Sequence, residues 1–266
     1  YGFYVVQSLL ALYLALHFKW PDKQIYALVG SFTALTYLSP LVGGWIADKL
    51  IGQKRAILLG AVVLFISYCL LSFIDNNLGL TASLAGIAVG TGLLKPNISS
   101  LLGNEYLTGS ARRESGFTIF YMGINMGAFL ASLSCGYLGI VHGWKYGFGL
   151  AGIGMLFGLV VFLSCQSWLE GKAEPPNPEK LKEKVFLGIN VEWLCYSVGL
   201  AIIAVSMVLV MNAELVGGIL GPVGILMFIW LVSHAFIHLK GDERSRMLAA
   251  VYFVLAQIPF WALFEQ

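Results

Sequence analysis

Charge is scarce in this sequence. Asp, Glu, Lys and Arg make up 11% of 266 residues, against about 25% in ordinary soluble domains. Apolar residues make up 58%, and mean hydropathy is +0.81. A soluble domain of this size has no interior large enough to hide that much apolar surface, so a polytopic membrane protein is expected. The net charge of +2 implies nothing about nucleic acid, and no basic groove pattern interleaved with aromatics occurs, so no nucleic-acid partner is expected. Cysteine is equally sparse: Cys69, Cys135, Cys165 and Cys195 all lie in apolar segments. Their spacing fits no metal knuckle and no disulfide framework, so they read as small apolar packers. His234 and His238 are four apart near the end of a span, where amphipathic rings sit comfortably. No metal or other cofactor is expected. No nucleophile–base pair stands at matching depth, which argues against an intramembrane enzyme. A signal-peptide pattern is also lacking.

Long apolar runs are what the chain does have. About 20 apolar residues cross a bilayer, and nine segments qualify: roughly 1–18, 25–48, 55–74, 79–103, 115–140, 145–168, 185–211, 217–238 and 246–266. Only helices satisfy their own backbone in lipid over such lengths, so the expected fold is all-α. The chain starts at Tyr1 and stops at Gln266 inside an apparent helix, as a piece of a longer chain would.

Orientation follows from the basic residues. One set of loops holds Lys19, Lys23 and Lys145. The other holds Lys49, Lys54, Arg55, Arg112, Arg113, Lys172, Lys180, Lys182, Lys184, Lys240, Arg244 and Arg246. The richer side is expected in the cytoplasm, together with the N-terminus. "LEGKAEPPNPEKLKEK", 169–184, is charged and proline-rich and reads as a flexible cytoplasmic linker. The expected organisation is a six-helix bundle (1–168), this linker (169–184), two further spans (185–240) and the start of a second bundle (241–266).

One full charge breaks the pattern. Lys95, in "GTGLLKPNISSLLGNEY" (90–106), stands ten residues before Glu105, about 15 Å along a helix. That is too deep for easy snorkelling, and an ionisable group at such depth is a functional candidate. Thr91, Lys95 and Ser99 recur at i, i+4, i+8, which predicts one polar stripe. A nucleotide cradle at "GTG" is excluded because no strand precedes it and the pattern is incomplete. Asn125, in "FTIFYMGINMGAF" (117–129), shares a helical face with Phe117 and Tyr121, while Gly123 and Gly127 form a GxxxG on another. A mid-span asparagine either bonds a neighbouring helix or faces a solvated cavity. Gln257, Trp261 and Glu265 repeat the i, i+4, i+8 spacing, and Tyr37 follows Thr33 on one face. Pro40, Pro96, Pro222 and Pro259 fall within spans, where they permit bending.

In "GGWIADKLIGQKR", 43–55, the residues Gly44, Asp48, Lys49, Gly52, Lys54 and Arg55 resemble the loop signature of the major facilitator superfamily, and six spans before a linker match its layout. Asp48 at the membrane edge needs a cationic or helix-dipole partner, and such a contact can hold one face of a transporter closed.

Taken with "SGFTIFYMGINMGAF" and "FWALFEQ", the "GTGLLKPN" stretch resembles the proton-dependent oligopeptide transporter family along the whole chain. That resemblance implies a major facilitator superfamily fold running from core helix one into core helix seven, with segments 185–211 and 217–238 as the two extra helices of bacterial members. It implies a proton-coupled symporter, located in the cell inner membrane and expected as a monomer, that imports di- and tripeptides. The implied substrate contacts are Tyr1 (the last tyrosine of a "YYG"), Tyr37, Lys95, Asn125, Trp261 and Glu265. Lys95 and Glu265 would also couple the proton, and Gly44, Asp48, Lys49 and Arg55 would form the gating motif. Two departures accompany it. The family's ExxER motif would precede Tyr1, and Tyr4 stands where many members carry an arginine. The alternative is a carrier of the same fold for another small solute, such as nitrate or an amino acid.

Overall fold

The computed structural model describes residues 1–107, 110–169, 173–186 and 189–264. Helices occupy all nine predicted segments: α1 (Gly2–Leu16), α2 (Asp22–Ile46), α3 (Gln53–Phe73), α4 (Asn77–Glu105), α5 (Ala111–Val141), α6 (Trp144–Cys165), α8 (Val191–Met211), α9 (Ala213–Ile237) and α10 (Gly241–Phe264). A one-turn helix, α7 (Pro178–Lys182), lies in the linker. Among the described residues, seven helices are long and apolar enough to cross a membrane, and α1 is a shorter apolar helix.

The seventh segment begins later than expected. Lys184–Phe186 (β1) and Ile189–Asn190 (β2) pair as a small antiparallel ladder, and α8 starts only at Val191. Val185, Phe186 and Ile189 are β-branched or aromatic and suit a strand, while Asn190 takes an extended conformation at the helix start.

The chain divides into two compact units, Tyr1–Ala213 and Glu214–Gln266. In the first, α4 is the central helix, with most of its apolar stretch buried. It packs on α3, α2 and α8, while α1 packs on α5 and α6. Lipid tails are as apolar as leucine, so the hydrophobic effect does not drive helices together inside a bilayer; close packing does. A Cβ on Gly43 would fall 2.2 Å from the Gly92 carbonyl oxygen, and one on Gly60 would fall 2.8 Å from that of Gly90. Backbones at such separations admit no side chain. Val6, Leu10, Leu14, Phe32, Tyr68, Leu84 and Phe148 fill the remaining interior. Large apolar side chains such as Phe129, Ile140 and Phe157 point outward and are exposed, as lipid-facing positions are in a spanning bundle. All four cysteines are free thiols within the packing.

Local signals place the helix ends. The Asn76 side chain accepts from the Gly79 N–H, and Ser110 accepts from the Arg113 N–H; both cap orphan donors of a first turn. At the far end of the bundle His17, just after α1, meets Asp75 at 2.7 Å. In the second unit, Arg244 closes the α9–α10 turn. Its Nε donates to the carbonyls of Ala235 and Leu239 and its Nη2 to that of Phe236, at 3.0–3.2 Å. These are carbonyls that a helix C-terminus leaves unpaired.

Candidate functional site

The site begins with a proline. Pro96 lies inside α4 and has no N–H to donate to the carbonyl one turn back. Residues on either side of it point to different surroundings. Asn97 is 1% exposed; its Nδ2 donates to the Leu93 carbonyl at 2.6 Å and, across to α2, to the Gly43 carbonyl at 3.3 Å. Pro96 Cβ stands 3.9 Å from where a side chain on Gly44 would begin. Nearby, Ser39 Oγ donates to the Ala88 carbonyl at 2.7 Å. The two residues after Lys95 thus dock on Gly43 and Gly44 of α2, and Lys95 itself is turned to the open face.

Lys95 Nζ is 5.2 Å from the ring centroid of Phe3 and 5.6 Å from that of Tyr37. Both distances fall within cation–π range, where a ring quadrupole stabilises an ammonium group by about 0.5–2 kcal/mol. No carboxylate among the described residues forms a salt bridge with it. Among the described residues, ring faces are what hold the Lys95 ammonium group. Lys95 and Tyr37 are therefore brought together, and α1 adds Phe3. Sequence spacing missed Phe3 because it belongs to a different helix and carries no polar signal. Asn97 was visible in "KPN", but only the packed α2–α4 pair reveals what its amide holds.

Other expectations resolve differently. Thr91 is 4% exposed and its hydroxyl has no partner among the described residues, so the predicted stripe does not run along one open face. Ser99 keeps to it, donating to the Lys95 carbonyl at 3.2 Å. Asn125 is exposed, and its Nδ2 donates to the Tyr121 carbonyl of its own helix at 3.0 Å; it bonds no neighbouring helix among the described residues. Tyr1 hydrogen-bonds through its hydroxyl with Ser134 and Cys135 of α5. Gly127, one half of the GxxxG, lies against the Tyr1 backbone, while nothing approaches Gly123 within 4 Å. Tyr4 is half-buried against the core, edge-on to Phe3. Trp261 belongs to the α10 backbone, but its side chain lies outside the described residues, as does Glu265 altogether.

The signature loop has its own geometry. Ala47–Ile51 form a π-helical turn, ended by Gly52 at φ +80°, a conformation that favours glycine. Asp48 and Lys49 are exposed and form no salt bridge among the described residues. Arg55 Nε lies 3.4 Å from Glu192 Oε1, and Lys54 Nζ lies 3.3 Å from Glu174 Oε1. No group of three or more potential metal ligands forms among the described residues.

Comparison with known proteins places this geometry. The POT family profile matches residues 54–266. The dipeptide and tripeptide permease A of Salmonella typhi is 34% identical over the whole chain, which covers 52% of that protein. Its Escherichia coli K12 counterpart is 33% identical with the same coverage. The chain thus spans about half the length of the curated relatives it matches. A crystal structure of the peptide transporter POT with sulfate superposes at TM-score 0.77 with 33% identity, covering all of this chain and 56% of that one. A POT family transporter solved with 5-aminolevulinic acid gives 0.75 with 27% identity, over 93% of this chain and 53% of that one. With most of its length matched by the family profile and a helical bundle that overlays on solved members, the chain belongs to the POT family.

Proposed function

We propose that the complete protein is a proton-coupled symporter that imports di- and tripeptides by alternating access. The observation that carries this reading is Lys95: a cation deep in an apolar helix, held by two ring faces and no described carboxylate. A short peptide is a zwitterion. Lys95 takes its carboxylate, Glu265 takes its amine or the proton, and Tyr37, Phe3 and Trp261 offer apolar walls without strict selectivity. Asn125 supplies its amide oxygen to the peptide. Tyr1 contributes the other end of the contact set from the start of α1. The relatives named dipeptide and tripeptide permease support the substrate class.

Coupling needs a group that changes charge. Glu265, when ionised, pairs with Lys95; when protonated, it releases Lys95 to the peptide. Moving one charge through 100 mV supplies about 2.3 kcal/mol, which at 1.4 kcal/mol per tenfold is roughly a 50-fold gradient. Two bundles rock about this central site, and Gly44, Asp48, Lys49 and Arg55 gate one face. The carrier sits in the cell inner membrane as a monomer, with its N-terminus and the linker 169–184 in the cytoplasm. Residues 1–168 form the first bundle, 185–240 the two additional spans, and 241–266 open the second bundle. Protons are the only coupling species, and no cofactor takes part.

Uptake of a labelled dipeptide into liposomes holding the complete protein tests the reading. Accumulation driven by an inward proton gradient, competed by tripeptides but not by free amino acids, is the expected result. Uptake that never exceeds equilibrium removes the coupling. The 5-aminolevulinic acid complex of a relative favours one second reading, a carrier for amino-acid-like solutes; competition by free amino acids with no dipeptide uptake would establish it.

A further inference from the structure

We propose that Glu192, on the first additional helix, is the positioning residue of the signature loop, and that the linker and α8 together form a clasp on that loop's basic end. The inference rests on the reading of this loop as a gate. Four independent contacts carry it. The carboxylate oxygen Oε1 of Glu192 lies 3.4 Å from Arg55 Nε and accepts a 2.8 Å hydrogen bond from the Tyr196 hydroxyl one turn along α8. Lys54 repeats the pattern with Glu174 at 3.3 Å. The Lys54 N–H donates to the Ala173 carbonyl at 3.1 Å. Beneath the ion pairs lies an apolar pad: Ala47, Ile51, Ala56 and Leu181 are buried, with Val191 and Cys195 packed on them.

Composition pointed to a free tether here, but Ala173 and Leu181 are only 2% and 3% exposed. A Cβ on Gly52 would sit 2.6 Å from the Pro175 nitrogen, so the linker backbone runs directly against the turn. Glu192 is in the first turn of α8, where the helix dipole favours a carboxylate, and Tyr196 fixes its direction. The consequence is a division of labour within the eight residues from Asp48 to Arg55. Lys54 and Arg55 are committed to the linker side, while Asp48 forms no salt bridge among the described residues and is left for the moving contact. The clasp holds the basic end still so that Asp48 engages and releases from a fixed position.

The test uses the complete transporter in liposomes and compares Glu192→Gln, Arg55→Gln, the double variant, the charge exchange Arg55→Glu with Glu192→Arg, and Asp48→Asn. Maximal rate and KM for dipeptide uptake are read per folded transporter, alongside the melting temperature. A half-exposed ion pair corresponds to a shift of about two- to fivefold. The expected result is that loss in maximal rate for each single variant, with KM unchanged, no further loss in the double variant, and recovery in the charge exchange. A lowered melting temperature with an unchanged rate per folded molecule makes the pair merely structural and overturns the proposal. Loss in Asp48→Asn alone overturns the clasp and leaves the gate standing. No loss in any variant removes the gate and the clasp with it. Should Glu192→Gln fail to fold, Tyr196→Phe removes only the orienting hydroxyl; a smaller loss in the same direction is expected, and no change overturns the proposal. A readout free of substrate is tryptic cleavage at Lys180, Lys182 and Lys184 in membrane vesicles. Glu174→Gln with Glu192→Gln is expected to be cut about two- to fivefold faster than the unaltered protein, and equal rates overturn the clasp.

Discussion

Lys95 on α4 and Arg55 on α3 are both cations of the first unit, and they meet opposite surroundings. Arg55 lies against a carboxylate that a tyrosine has already oriented. Lys95 has two aromatic faces and an open side. The ion pair holds Arg55 through Nε, while its Nη1 is buried with no hydrogen-bond partner among the described residues. Ring faces stabilise a cation more weakly and leave its strongest interaction for a ligand. Two cations of similar origin in the sequence thus meet different partners in space, a carboxylate for Arg55 and two rings for Lys95, and the proposed binding role of Lys95 rests on that difference. The same α2 backbone connects them: Gly43 and Gly44 receive Asn97 and Pro96, and the π-helical turn that leads to Arg55 starts three residues after Gly44.

The largest effect is expected at Lys95. Lys95→Gln is expected to keep expression and to lower proton-driven dipeptide uptake at least about 30-fold, since it leaves a buried substrate charge unpaired. Full accumulation by this variant would show that Lys95 is no more than a structural cation. Next comes the shared scaffold. Gly43→Ala places a methyl against the Gly92 carbonyl and is expected to cost about 1–3 kcal/mol or more, read as a lower melting temperature in detergent. Asn97→Ala removes one interhelical bond and is expected to cost about 0.6–2 kcal/mol. If Asn97 positions Lys95 as well as bracing α4, uptake falls further than the melting temperature accounts for.

Smaller effects sharpen the aromatic side of the comparison. Tyr37→Phe retains the ring and is expected to bind dipeptide nearly as well as the unaltered protein, whereas Tyr37→Ala loses about 0.5–2 kcal/mol in a binding titration. Equal losses in both variants would assign the contact to the hydroxyl instead. Asn125→Ala is expected to change stability by no more than about 0.5 kcal/mol, because among the described residues its amide bonds only its own helix. Any marked fall in dipeptide affinity would then report substrate contact directly.

Much of the fold was legible because lipid leaves few choices. Apolar runs of membrane length have to be helices, and all nine segments are helical among the described residues. The Lys95 region stood out for the same reason, since a charge in apolar surroundings is costly wherever it occurs. Less was legible about partners. Thr91 shares the spacing of Lys95 and Ser99, yet it is buried, because α4 is the central helix and several neighbours cover it. Asn125 had two readings from spacing, and among the described residues its amide makes no bond to another helix, a bond that one of them required. The strand pair before α8 was hidden inside an apolar run, where periodicity cannot separate a strand from a helix start.

Local chemistry along the chain is enough to specify a helical membrane protein with a lysine far from the helix ends, a basic signature loop and a charged linker. Each of these follows from local chemistry: the cost of unpaired backbone in lipid, the cost of charge at depth, and the solubility of proline-rich polar chain. Packing in three dimensions is what joins Phe3 to Tyr37 around Lys95, ties α4 to α2 through Asn97, and brings Glu192 to Arg55. Those pairings join residues from about 30 to more than 130 positions apart, and no spacing along one helix encodes them. They arise where small residues let particular backbones approach closely, which is a property of the packed bundle.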